Sequence, residues 1–242
     1  RFQRAQLRLS HLDFEHGWDD YHYRNLGDSN RMRVLPFPIW AGEPLAGKRM
    51  IVLAEQGLGD QVMFASCLPD LLALGPDELI VEVIDRIAPT IARTFPQCTI
   101  VPTRQGLALD WVKACGPVDC YVSLADLPMH FRRSLAAFPT HTGYLRADPD
   151  EAQRWLQRLP ASGRLRIGLS WRGGTEGTRT FVRSIPPPLL AGLGSALDAD
   201  WISLQYGKAD EEVAELRSHG LAGLHHWPEA IQDLDTFAAL VS

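Results

Sequence analysis

Three short stretches of this chain combine glycines with polar or charged side chains in a way that could do chemistry. The first is Ala54-Glu-Gln-Gly-Leu-Gly-Asp60. Gly57 and Gly59 permit torsions and close approach that a Cβ resists. A helix opening there turns its free amides toward anions. Asp60, at that helix start, admits two roles. It is an N-cap satisfying orphan amides, worth about 1 kcal/mol, or a general base taking a proton from a hydroxyl. Gln56, Gly57 and Gly59 form the loop around it. Val62 stands where a dinucleotide fingerprint needs its third glycine, and no Gly-Lys-Ser/Thr follows, so neither standard nucleotide motif is present.

The second stretch is Ser170-Trp-Arg-Gly-Gly174, followed by Thr175, Thr178, Arg179, Thr180 and Arg183-Ser184. Amides and hydroxyls donate to phosphate oxygens, and a guanidinium grips them in pairs. Ser170, Arg172, Gly173 and Arg183 are therefore candidate anion ligands, and a solvated surface loop is the alternative. The third is Ser203-Leu-Gln-Tyr-Gly-Lys208. Gln205 could hydrogen-bond a base or a phosphate, and Lys208 could place a point charge on a diphosphate. A plain turn with an exposed lysine fits the same residues. Weaker candidates are His225-His226, which lack a third ligand at metal-site spacing, and Asp119 and Asp126. No Gly-x-Ser-x-Gly elbow or His-Glu-x-x-His zinc motif occurs.

Strands must lead into these loops if they are to bind anything. Arg49 to Ala54 is a short apolar run and reads as a buried strand. Spacing predicts a helix over 60–74, a strand over 79–84, a helix over 86–94, and strands over 98–101 and 120–124. A helix over 149–159 leads to a second series: strand 164–170, helix 187–197, strand 200–204, helix 209–219, a short strand near 224–227 and a helix from 231. Strands alternating with helices imply parallel, doubly wound sheets, with ligands beyond the strand carboxyl ends. Ahead of them, residues 1 to about 24 read as a helical hairpin turning at Asp13 to Trp18. A lone pair cannot bury its apolar face and must pack on repeats before it or on the domain after it. The divisions expected are a hairpin at 1–28, a linker at 29–48, an α/β domain at 49–148, a linker helix at 149–163 and the start of a second α/β domain at 164–242.

The chain has 242 residues, 45% of them hydrophobic and 22% charged, as in ordinary globular proteins. A net charge of −5 argues against a dedicated nucleic-acid binder. No apolar run is long enough for a membrane span, and the polar N-terminus has no signal-peptide pattern. Four cysteines without CxxC spacing suit a reducing cytoplasm. The chain opens inside one helical pattern and stops inside another, which reads as a piece of a longer protein.

Taken together, the Ala54–Asp60 run, Trp40-Ala-Gly42 upstream of it, Val122-Ser-Leu-Ala-Asp-Leu-Pro128, Ile167-Gly-Leu-Ser-Trp-Arg-Gly173, Arg183-Ser-Ile-Pro186 and Ser203-Leu-Gln205 resemble bacterial tetratricopeptide-repeat proteins with a C-terminal glycosyltransferase domain. Gly17-Trp18 with Tyr21 to Arg24 resembles the last repeat. That group is similar to heptosyltransferases and O-GlcNAc transferases. The resemblance implies GT-B tandem Rossmann domains, the second one truncated, behind the end of a tetratricopeptide segment. It implies a nucleotide-sugar donor, inversion and no metal or other cofactor. Gly59-Asp60 matches the heptosyltransferase base, and Gln205 with Lys208 matches the Gln-x-x-Lys donor pair. The acceptor implied is a hydroxyl, with Ser or Thr of a polypeptide such as flagellin favoured and held by the repeats. A non-catalytic protein-binding scaffold with a degenerate transferase domain is the alternative, and a sugar-nucleotide epimerase is a more distant one.

Overall fold

The computed structural model describes residues 1–25, 33–104, 109–141, 143–173, 182–190 and 192–242. It divides into two compact units, 1–146 and 147–242.

The first unit opens with α1 (Phe2–Ser10) and α2 (Phe14–Tyr21). Asp13 caps α2 by accepting from the His16 amide, so the turn lies just before Asp13 rather than spanning 13–18 as expected. Arg4 and Arg8 close the hairpin on the buried Asp20 carboxylate at 2.5 and 2.6 Å. Gly17 lets the helices approach, since a Cβ there would lie 2.7 Å from Leu9 Cδ2. The hairpin's apolar face meets the body of its own unit. Trp18 and Tyr21 rings pack on Phe64, Phe14 packs on Phe138, and Trp18 Nε1 donates to the Arg132 carbonyl at 2.9 Å.

The body follows as β1 (Arg49–Leu53), α3 (Leu58–Ala65), α4 (Leu68–Leu72), β2 (Glu78–Ile84), α5 (Ala88–Thr94), β3 (Thr99–Thr103), β4 (Cys120–Ser123) and α6 (Leu127–Phe131). The four strands form one parallel sheet ordered β3-β2-β1-β4. β1 and β2 are buried on both faces, which explains their unbroken apolar runs. The single helix expected over 60–74 is two. Ser66 back-bonds to the Met63 carbonyl, and Pro69, with no N–H to donate, fits only the first turn of a new helix.

The second unit contains α7 (Pro149–Arg158), β5 (Leu165–Leu169), α8 (Pro187–Leu190), α9 (Leu193–Ala196), β6 (Ala199–Ser203), α10 (Asp210–Ser218) and α11 (Leu234–Val241). β5 and β6 pair in parallel, and Ile202 forms a parallel bridge with His225. The helix expected as a linker, α7, belongs to this unit: Trp155 is buried with Ile202, Ala230, Ala239 and Leu240. The helix expected over 187–197 is likewise two short helices, with Gly192 starting the second.

Candidate functional site

In the first unit the strand order reverses beside β1. β2 and β3 lie on one side and β4 on the other, so the crevice outside the ends of β1 and β4 is the place where such sheets bind ligands. The loop 54–57 leaves β1 there and is anchored at every residue. The Ala54 amide donates to the Glu82 carboxylate at 2.9 Å, and its carbonyl accepts from Arg33, which also pairs with Glu82 at 2.8 Å. Glu82 is a carboxylate in the middle of a buried strand. Such a charge must be paired, and its place in the run Leu-Ile-Val-Glu-Val-Ile was the sequence signal for this support.

Glu55 receives Arg24 in two-pronged fashion, Nε at 2.7 Å and Nη2 at 2.5 Å. Asn25 also donates to it at 2.7 Å, and the Ser123 hydroxyl donates to its other oxygen. Arg24 reaches across to Asp126, after β4, at 2.6 Å. The arginine side chain is 5% exposed, so its guanidinium fills the crevice between the loops following β1 and β4. Burial pushes Glu55 and Asp126 up, but the bonds and charges of Arg24, with His22 at Asp126, more than offset this and hold both below the usual carboxylate range. The hydrogen bond to Asp126 raises His22 against a smaller effect of burial. Gln56 sits at φ 63°, in the left-handed region that bulky residues avoid. Its Nε2 donates to the Tyr21 hydroxyl at 2.7 Å.

Gly57 is the N-cap of α3, and Asp60 is the third residue of the helix rather than the cap itself. Asp60 Oδ2 accepts from the Gly57 amide at 3.0 Å, closing the loop on itself. Asp60 is half-buried and Gly59 is exposed. Gln61, one residue on, is buried and accepts from the Ile84 amide at 2.8 Å, which ties α3 to the end of β2.

In the second unit the structure gathers the six candidate residues around the ends of β5 and β6. Gln205 has no exposed surface. Its Oε1 accepts from the Trp171 and Arg172 amides at 3.0 and 2.8 Å, and its Nε2 donates to the Arg172 and Tyr206 carbonyls at 3.1 Å. The Gln205 side-chain amide thus holds the 170–172 loop. Ser170 Oγ lies 3.3 Å from the same Oε1 and the residue is otherwise exposed. Arg172 is committed too. It pairs with Glu212 of α10 at 2.9 Å and donates to the Lys208 carbonyl at 3.0 Å. Its hydrogen bond to Glu212 raises its pKa further.

Arg172 bridges to Ser184, and a Cβ on Gly173 would meet the Arg183 carbonyl at 3.7 Å, so Arg183 runs beside the loop. Arg183 and Lys208 are exposed, and Gly207 turns into Lys208 at φ 78°. Gly174, Thr175, Thr178, Arg179 and Thr180 lie outside the described residues. His225 continues the sheet beside β6 and stacks on Trp227, and Asp119 accepts from the Arg49 amide at the start of β1. Both serve the fold. Sequence reasoning missed Tyr21, Arg24, Arg33 and Glu82 as parts of the first site and Glu212 as part of the second, ranked Asp126 only as a weak candidate, and gave Glu55 no role within its stretch.

The parallel sheet of the first unit and the β5–β6 pair of the second define a mixed α/β fold that resembles a GT-B glycosyltransferase. The solved structure of E. coli ADP-heptose LPS heptosyltransferase II matches with a TM-score of 0.52 at 16% identity, over 80% of this chain and 76% of that one. In sequence, the chain is similar to Protein FlbA of Caulobacter vibrioides (strain ATCC 19089 / CIP 103742 / CB 15), 33% identical over 261 residues. That match takes in 99% of this chain but 43% of FlbA, so the chain spans less than half of that relative's length. No family model matches.

Proposed function

We propose that this chain carries the working parts of an inverting, metal-independent glycosyltransferase that moves a sugar from a nucleotide donor to a hydroxyl. The observation that carries the reading is the loop 54–60. A carboxylate on the first turn of α3 stands at the carboxyl end of β1, and bonds at each residue before the helix fix the loop that delivers it. Asp60 uses one oxygen on the Gly57 amide and can take a proton on the other. The acceptor oxygen then attacks the anomeric carbon while the bond from that carbon to the donor phosphate breaks. The nucleoside diphosphate leaves with the electron pair, and the proton rests on Asp60.

Charge on the departing phosphate needs fixed cations and dipoles. Among the described residues Lys208 and Arg183 are exposed cations beside the 170–173 loop, and Ser170 is an exposed hydroxyl on it. Gln205 and Arg172 shape that loop. The first unit's crevice is already filled by Arg24, which favours the second unit as the donor site. The acceptor in this reading is a Ser or Thr of a polypeptide such as flagellin, presented by tetratricopeptide repeats of which the hairpin is the last, in the cytoplasm.

A second reading is a protein-binding scaffold with a degenerate transferase domain. Its support is that two of the residues expected to hold donor, Gln205 and Arg172, are spent inside the chain. A thermal-shift screen with UDP, GDP, ADP, CMP and their sugars, with and without EDTA, separates the readings. Selective stabilisation that survives EDTA favours the transferase, and no shift with any nucleotide favours the scaffold. With a donor in hand, Asp60→Asn should lower turnover by about 10²–10⁴-fold, the usual worth of a general base, and leave donor affinity unchanged. Turnover equal to the parent's would remove Asp60 from the mechanism.

A further inference from the structure

We propose that the helical hairpin is a positioning element of the candidate active site, with Tyr21 and Arg24 as the positioning residues that hold the Asp60 loop in its working conformation. This rests on the reading of Asp60 as the base. The hairpin divides its contacts between packing and the loop. Packing a helix pair onto a body needs apolar contact, and Phe14, Trp18 and the Tyr21 ring supply that. Arg133 adds an exposed ion pair to Asp19 at 2.7 Å.

Other polar groups of the hairpin are aimed at the loop. The Tyr21 hydroxyl meets the Gln56 amide, and Arg24 with Asn25 takes both oxygens of Glu55. Glu55 and Gln56 lie between the end of β1 and the N-cap of α3. Gln56 holds a left-handed backbone conformation that is unfavourable for a side chain of its size. Such a conformation persists only where surroundings over-determine it, and here one of those surroundings is Tyr21. Arg24 adds a second constraint by joining Glu55 to Asp126 across the sheet, so the loop cannot shift without breaking a buried ion pair. Asp60 stands three residues beyond the Gly57 cap, so the place of its carboxylate depends on this loop together with Gln61, which ties α3 to β2. Misplacing a reacting group by an ångström can cost about 10²-fold in rate.

The test uses the full chain and compares Tyr21→Phe with the parent and with Arg133→Ala, a control that loosens the hairpin at a point away from the loop. Backbone hydrogen exchange over residues 55–60 is the first readout. Tyr21→Phe should speed it by about five- to tenfold, the size of one lost hydrogen bond, with the melting temperature close to that of Arg133→Ala. Turnover with the donor found by the nucleotide screen is the second. It should fall by about tenfold or more in kcat, with donor KM unchanged, and Gln56→Gly, which removes the strain along with the anchor, should restore part of it on the Tyr21→Phe background. Unchanged exchange at 55–60 overturns the proposal, as does faster exchange with undiminished kcat, or an equal loss in Arg133→Ala. An undiminished kcat in Asp60→Asn would overturn the reading of the base instead, and exchange over 55–60 would still decide whether the hairpin fixes the loop.

Discussion

Arg24 is the side chain on which the first unit's site turns. It is buried against Glu55 and Asp126, and removing it leaves Glu55 with only neutral donors, Asn25 and Ser123, and Asp126 with only His22 as cation. Arg24→Met should therefore cost about 3–5 kcal/mol in a denaturant titration, far above the ~0–1 kcal/mol expected for a surface pair such as Arg133–Asp19. The cluster also sets a pH dependence. Glu55 and Asp126 are held below their ordinary range, so their stabilisation is full above about pH 4, the unfolded value, and is lost as pH falls through the depressed folded values. His22 is raised, so its contribution is full below its ordinary value of about 6.5 and is lost as pH rises through the raised one. Melting temperature against pH should decline on both sides, and His22→Gln should remove the part of the alkaline decline that begins above about pH 6.5 and leave the acid one. None of this was legible from spacing. Arg24 and Asp126 are 102 positions apart, and nothing local marks them as partners. The loop and helix start around Asp60 were legible because paired glycines follow a strand there, although the place of Asp60 as third helical residue rather than cap became clear only from the backbone.

Among the elements, strands were the easiest to read, because burial on both faces writes itself as an unbroken apolar run. Helices were read too long wherever a proline or glycine pair interrupts them, as at Pro69 and at Gly192 to Gly194. The second interruption has a purpose. A Cβ on Gly194 would lie 1.9 Å from the Gly220 carbonyl oxygen, so α9 meets the turn after α10 backbone to backbone. Helix propensity favours alanine over glycine by about 1 kcal/mol, whereas overpacking costs about 1–3 kcal/mol. The clash is with main chain, which cannot step aside, so Gly194→Ala should destabilise. Chemical denaturation would show this, and a variant as stable as the parent would mean that α9 slides freely. Gly17 faces a flexible leucine tip instead, and alanine there should be tolerated much better.

For the molecule as a whole, the division at 146/147 separates two units with different commitments. One has its sheet crevice filled by its own arginine, and the other leaves Lys208, Arg183 and Ser170 exposed at its strand ends. Donor binding should therefore protect amides at 170–173 and 203–208 from hydrogen exchange and leave 54–60 unchanged. At a hundredfold excess over Kd it should add about 2.7 kcal/mol of stability. Protection at 54–60 alone would place the donor in the first unit. The filled crevice has one more consequence. Trimming Arg24 to alanine would leave a pocket lined by two carboxylates and the Ser123 hydroxyl, a receptor shaped for free guanidinium. A small cation added from outside could then restore what the side chain supplied, turning a fixed internal contact into a chemical dial on the hairpin and its loop.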